Sequence, residues 1–199
     1  FRFLDDAAQI GVKAISFVSD GESTCSPYLK DALLRGKKNG LDMALGTNGY
    51  LLKDDELEEL LPALTYLRFN MSAGERSRYA KIMGCREENF DKVCQTIRRC
   101  VEIKKRKNLQ VTLGLQMVLL PDFADQIIPL AELGRELGVD YLVIKHCSDD
   151  EEGSLGVDYS KYFDLTSLLK KAEELSSGDY LVKAKWSKIL SGGKRVYRH

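Results

Sequence analysis

The sequence holds 199 residues, 44% of them hydrophobic, with 30 Lys and Arg balanced by 30 Asp and Glu. A chain of this length buries roughly 70% of the surface it exposes when unfolded, so it needs neither disulfide nor metal to hold a core, and global disorder is excluded. A formal net charge of +0 leaves no excess to draw the chain onto nucleic acid or an anionic membrane, and no run reaches the ~20 apolar residues that cross a bilayer.

From the N-terminus, short apolar runs alternate with amphipathic stretches. A helix over residues 5–9 precedes a strand at 14–18, with Gly11 as the stop between them. A helix at 27–38 ends on Asn39-Gly40 before a strand at 41–45, and one at 54–61 leads into a strand at 64–69. The long amphipathic stretch 87–107 precedes an apolar run at 109–119. A helix at 123–137 stops at Gly138 before a strand at 141–144, and a helix at 159–175 precedes a last strand at 179–184. Repeated β-α units connect right-handedly into a parallel sheet, and periodicity alone leaves open whether it stays open or curls toward a barrel. The run from Val139 to Ile144 is nearly continuous in apolar character, as expected of a strand covered by helices on both faces.

The chain opens inside a helix with no strand before it and closes on a polar tail containing Gly192-Gly193-Lys194-Arg195. It therefore reads as an internal piece of a longer protein, with a core over 1–186 and a tail or linker over 187–199. The cysteines, Cys25, Cys85, Cys94, Cys100 and Cys147, include no C-x-x-C pair and read as reduced, buried thiols of a cytoplasmic protein. Cys94 and Cys100 are six apart on one helix, which sets them on different faces.

Ligands of parallel α/β folds gather at the carboxyl ends of the strands, where helix N-termini and free backbone N–H groups collect. The first strand runs into Asp20-Gly21-Glu22-Ser23, a polar turn with one carboxylate, and Ser26 can cap the helix that Pro27 opens. The second ends in Thr47-Asn48-Gly49, a turn sequence. The third ends in Asn70 and Ser72, which share one side of an extended chain, followed by Arg76 and Arg78, whose guanidinium groups suit carboxylates. Gln116 interrupts the apolar fourth strand and demands partners, either in a site or in the core. The fifth ends in Lys145-His146, of which at most one side chain faces the interior, and the acidic run 149–152 reads as a solvated loop. With His146 and His199 the sole histidines, a histidine-based triad or metal site is improbable.

The ordered set of strand ends resembles the radical S-adenosylmethionine (radical SAM) superfamily. Residues Gly11 to Ser23 are similar to that family's second strand and its Gly-Gly-Glu-Pro-type motif, Thr47-Asn48-Gly49 to the turn after its third, and Arg68 to Gly74 to its fourth. The resemblance covers about residues 1–150 and implies a curled, partial (β/α)6 barrel whose first strand is missing here. It implies that Gly21, Glu22 and Ser23 meet the methionine amino group of S-adenosylmethionine, beside the Asn48 turn. It further implies that Asn70 and Ser72 approach the ribose or methionyl part, that Arg78 or Arg76 pairs with the carboxylate, that Gln116 reaches the ribose, and that Lys145 borders the adenine.

This chain has Asp20-Gly21-Glu22-Ser23 where Gly-Gly-Glu-Pro is commoner, and it lacks the family's Cys-x3-Cys-x2-Cys loop. The intact protein is thus expected to bind S-adenosylmethionine and a 4Fe-4S cluster and to generate a 5′-deoxyadenosyl radical, drawing electrons from a flavodoxin or ferredoxin. The 199 residues alone are expected to bind neither and to be inactive. A further cluster domain beyond the C-terminus would suit the family. Two other readings stand beside this one: a (β/α)-barrel lyase or aldolase with Lys145 as a Schiff-base amine, and a noncatalytic module whose basic helix at 87–107 binds a partner or RNA.

Overall fold

The computed structural model describes residues 1–18, 21–149 and 152–190. In chain order the elements are α1 (Arg2–Gln9), β1 (Ala14–Phe17), α2 (Leu29–Lys38), β2 (Asp42–Thr47), α3 (Asp54–Leu60), β3 (Leu64–Asn70), α4 (Arg76–Met83), α5 (Glu87–Arg106), β4 (Thr112–Leu119), α6 (Ile127–Leu137), β5 (Tyr141–His146), α7 (Lys161–Asp164), α8 (Thr166–Glu173), β6 (Leu181–Ala184) and α9 (Trp186–Leu190). Short 3-10 turns at Ser23–Cys25 and Pro121–Gln126 follow β1 and β4.

Among the described residues the strands form one six-stranded sheet in the order β1-β2-β3-β4-β5-β6, every neighbouring pair parallel. Right-handed crossovers that always step in the same direction leave all their helices on one face. The sheet is therefore singly wound, as in a partial barrel. Burial follows: Leu45, Leu67, Phe69, Leu113, Leu115, Leu142 and Ile144 are fully buried beneath the helices, each contributing roughly 1.5–3 kcal/mol. Their alternates Tyr66, Arg68, Asn70, Tyr141, Val143 and Lys145 are only half-buried on the opposite, concave face. This corrects the expectation that the fifth strand is covered on both faces. Its apolar residues Val143 and Ile144 lie on different sides, and only Ile144 meets helices.

Local signals explain most boundaries. Gly138 closes α6 in the left-handed conformation with φ 77, the role expected of a C-terminal glycine. Gly84, with φ 63, closes α4 in the same way. That helix, short and charged, was not expected from the pattern. The helix expected at 27–38 begins at Leu29; the Ser26 hydroxyl instead accepts from the Tyr28 N–H at 3.3 Å. The segment expected as one helix at 159–175 is two, α7 and α8.

Helix α5 buries Cys94 and Cys100 together with Val93, Ile97 and Val101. Six residues set the two thiols about 120° apart on the helix: Cys94 lies toward Glu136 of α6 and Cys100 toward Asp54 of α3, so they are on different faces, both buried. Cys25 is exposed in the turn after β1, where no core covers it, and this corrects the reading of all five as buried. α9 runs into the stretch expected as a tail, while 191–199, Asp20 and part of the acidic loop lie outside the described residues.

Candidate functional site

The carboxyl ends of β1 to β5 bring the expected polar groups to one end of the sheet. After β1, the half-buried Glu22 carboxylate accepts the Thr24 N–H at 3.0 Å, the Thr24 hydroxyl at 2.7 Å and the Thr47 hydroxyl at 2.6 Å on Oε1, and the Asn48 N–H at 2.7 Å on Oε2. Burial alone would raise its pKa, but the bonds from Asn48, Thr47 and Thr24 together hold it below the ordinary glutamate value. Glu22 thereby ties the turn after β1 to the turn after β2.

The turn after β2 is locked by its own groups. The Gly49 N–H donates to the Thr47 hydroxyl at 3.0 Å and the Tyr50 N–H to Asn48 Oδ1 at 2.9 Å, an Asx-type turn. Gly49 has φ 78, and a Cβ there would stand 2.7 Å from the Phe69 ring. Only glycine meets both demands.

At the next two strand ends, Asn70 and Gln116 are register partners in adjacent parallel strands. Gln116 Nε2 donates to Asn70 Oδ1 at 3.2 Å, so the polar residue in the apolar run finds its partner on the concave face. One step further, the buried Ser72 hydroxyl accepts the Val118 N–H at 3.2 Å. Lys145 pairs in register with Val118 and is half-buried, while His146 faces the other way, buried with its ring 5.7 Å from that of Tyr159 and 5.4 Å from that of Tyr162. Only the lysine belongs to the concave face. Gly21 is exposed beside Glu22, and Ser23 is half-buried at the start of the 3-10 turn.

The arginines are placed differently. Arg78 donates from Nε and Nη2 to the two carboxylate oxygens of Asp125, both at 2.6 Å, and also to the Asp122 carbonyl. Arg76 stands 3.0 Å from Asp91. Carboxylates of the protein thus occupy both guanidinium groups proposed for a ligand carboxylate. The basic end of α5 is likewise matched by acids: Lys104 donates to Asp140 at 2.6 Å, and Glu58 takes Arg99, Arg106 and Lys107.

Two residues of the site were not singled out from the sequence. Thr47 is a buried polar side chain whose hydroxyl links Glu22 to Gly49. Arg68 stands on the concave face two residues before Asn70, a position that the alternation Tyr66, Arg68, Asn70 already assigns to that face.

A polar row of this kind, on an open concave surface, offers hydrogen-bond donors and acceptors to a polar ligand. It does not suit a metal cluster: among the described residues no group of three His, Cys, Asp or Glu side chains could hold a metal ion. No described helix is long and apolar enough to cross a membrane.

Comparison with known proteins agrees with the fold. The sequence model of the Radical SAM superfamily matches residues 2–134. The S-adenosyl-L-methionine-dependent tRNA 4-demethylwyosine synthase of Methanocaldococcus jannaschii is 25% identical over 168 residues, covering 83% of this chain and 50% of that protein. The structure of Streptococcus suis SuiB bound to S-adenosylmethionine superimposes with a TM-score of 0.71 at 17% identity, over 92% of this chain and 42% of SuiB. A structure of TYW1 with a lysine-pyruvate adduct bound gives 0.64 at 20% identity, over 88% of this chain and 59% of the other. The chain spans about half the length or less of the curated relatives it matches.

Proposed function

Because the chain belongs to the radical SAM superfamily, we propose that it forms the wall of an S-adenosylmethionine site within a larger iron–sulfur enzyme that removes a hydrogen atom from its substrate. One observation carries this reading: Glu22 with Asn48 and Asn70 with Gln116 are bonded pairs at successive strand ends on the same end of one sheet. When bound, S-adenosylmethionine and a 4Fe-4S cluster supply the reductive cleavage that makes the abstracting radical. This chain's residues bind, orient and exclude water.

Glu22 Oε2 accepts one hydrogen bond where Oε1 accepts three, which leaves room for the methionine ammonium. The exposed backbone at Gly21 and the adjoining Ser23 would border that group. Asn70 and Ser72 would take the ribose or methionyl part, Gln116 the ribose hydroxyls, and Lys145 the edge of the adenine. Arg78 would meet the carboxylate only by exchanging Asp125 for it. The cluster ligands would come from the rest of the enzyme, and the electrons from a separate flavodoxin- or ferredoxin-type partner.

The test is anaerobic reconstitution with iron and sulfide, then dithionite and S-adenosylmethionine, on residues 1–199 and on the full reading frame that contains them. The full protein should release 5′-deoxyadenosine and the 199 residues none. A reading frame without Cys-x3-Cys-x2-Cys upstream, or one that retains a cluster yet yields no 5′-deoxyadenosine, overturns the proposal.

A second reading draws on Lys145, half-buried at the end of β5, and on the lysine-pyruvate adduct bound in the matched TYW1 structure. The amine would condense with a 2-oxoacid carbonyl, releasing water and forming an imine. Borohydride in the presence of pyruvate should then fix a reduced adduct on Lys145; an unmodified Lys145 peptide discards this reading.

A further inference from the structure

Thr47 ends β2 on the side of the sheet that the helices cover: its register partner is the fully buried Phe69, and Thr47 itself is 1% exposed. Valine has the same shape and would pack there without a polar atom. The hydroxyl is the difference, and each of its bonds has a fixed direction. The Glu22 carboxylate, held below its ordinary pKa, is ionised at neutral pH and can only accept, so Thr47 donates its one proton to Oε1 at 2.6 Å. The Gly49 N–H can only donate, so the same hydroxyl accepts from it at 3.0 Å. A relay thus runs from the Gly49 amide through Thr47 to Glu22.

Glu22 itself stands on a turn rather than in the sheet. Its two bonds from Thr24, at 3.0 and 2.7 Å, come from the same 3-10 turn, two residues away, and move with it. Among the described residues only Thr47 and Asn48, at the end of β2, hold the carboxylate relative to the sheet, one on each oxygen. Two such points fix the plane of a carboxylate, whereas Asn48 alone would let it turn about the bond at Oε2. Thr47 is also β-branched, which restricts χ1 and aims the hydroxyl in advance.

We infer that Thr47 is the positioning residue of the strand-end site: together with Thr24 it saturates Oε1, and it fixes the carboxylate plane so that Oε2 is the oxygen offered to a cationic N–H donor of the ligand. Buried as it is, Thr47 touches no ligand and acts through Glu22. That the donor is the methionine ammonium rests on the function proposed above; the positioning itself rests on the relay.

The test compares Thr47→Val, which keeps the shape and removes the hydroxyl, with Thr47→Ser, which keeps the hydroxyl and relaxes χ1. In the 199-residue chain, carbon-detected NMR should show the Glu22 titration moving up in Thr47→Val, because a donor to the ionised form is lost, and returning toward the wild type in Thr47→Ser. In the reconstituted full protein, equilibrium dialysis should show S-adenosylmethionine bound about tenfold more weakly by Thr47→Val and largely restored in Thr47→Ser. Thr47→Ala takes the place of the valine variant should that one not fold. A Glu22 titration unmoved by loss of the hydroxyl overturns the inference. So does binding weakened equally by valine and serine, or weakened by Glu22→Gln but not by Thr47→Val. If the titration responds while neither Glu22→Gln nor Thr47→Val alters S-adenosylmethionine binding, Thr47 still positions the carboxylate and the ammonium assignment falls instead.

Discussion

The Glu22 carboxylate accepts the backbone N–H of Asn48 at 2.7 Å, joining two strand-end turns that are 26 residues apart in sequence. The Thr47 hydroxyl reinforces the link at 2.6 Å. Placing an amide there sets an NH2 against donors. Glu22→Gln should therefore cost about 1–3 kcal/mol of stability at neutral pH, measured by urea unfolding. An unchanged midpoint would mean that the clamp is absent in solution.

The same clamp gives a pH signature. Its folded-state pKa lies below the ordinary glutamate value of 4.5 because hydrogen bonds from Asn48, Thr47 and Thr24 outweigh the effect of burial. A depressed carboxylate pKa contributes stability that is full above the unfolded-state value and is lost as pH falls through the folded-state one. The stability gap between wild type and Glu22→Gln should thus narrow as pH is lowered from 7 through the acidic side of the glutamate range. A gap that widens on acidification would contradict this sign.

Two glycines with nearly the same backbone separate strain from crowding. Gly40 has φ 79 with nothing within 4 Å of where an added methyl would stand, whereas Gly49 has φ 78 with the Phe69 ring 2.7 Å from that position. Gly40→Ala should cost about 1 kcal/mol for backbone strain alone, and Gly49→Ala about 2–4 kcal/mol. Calorimetric midpoints should place Gly49→Ala well below Gly40→Ala; equal values would show that Phe69 moves aside freely.

The Gln116 to Asn70 bond should appear as coupling. Each alanine substitution strands the other amide, and the double variant strands neither, so a double-mutant cycle should return about 0.5–1.5 kcal/mol of interaction. In the full enzyme each single variant should also weaken S-adenosylmethionine binding by about tenfold. Additive stabilities would remove the pair from the site.

Thiol reactivity should follow burial. The Cys25 thiol is exposed, while burial pushes Cys94 up to about 11 and Cys100 up to about 12. Iodoacetamide at neutral pH should modify Cys25 first and leave Cys94 and Cys100 unmodified until the chain is denatured, as peptide mass spectrometry will report. Early labelling of Cys100 would contradict the packing of α5.

The strands were legible because each carries its own apolar run and stop signal: Asn39-Gly40 before β2 and Gly138 before β5 are local features. The sheet's single winding was not legible in periodicity, because strand order is a relation between distant segments and the apolar content of Val139 to Ile144 suits one covered face or two; only the resemblance of the strand ends implied the curled sheet. In the site, Asn70 and Gln116 drew notice as polar residues in apolar surroundings. Arg68 did not, since an arginine in a strand reads equally as a solvated edge; only the three-dimensional row reveals that its Nε has no partner among the described residues. The partners of Arg78 were illegible for a similar reason: Asp125 lies 47 residues away.

Single winding divides every strand into two kinds of position. Leu67, Phe69, Leu113 and Leu115 are locked in volume by the helices against them, so drift there is penalised at once. Tyr66, Arg68, Asn70 and Val143 answer to chemistry more than to shape, and replacing them rewrites the lumen without dismantling the scaffold. One such wall can therefore be inherited by descendants with different tastes, each altered at alternate letters of the same six words.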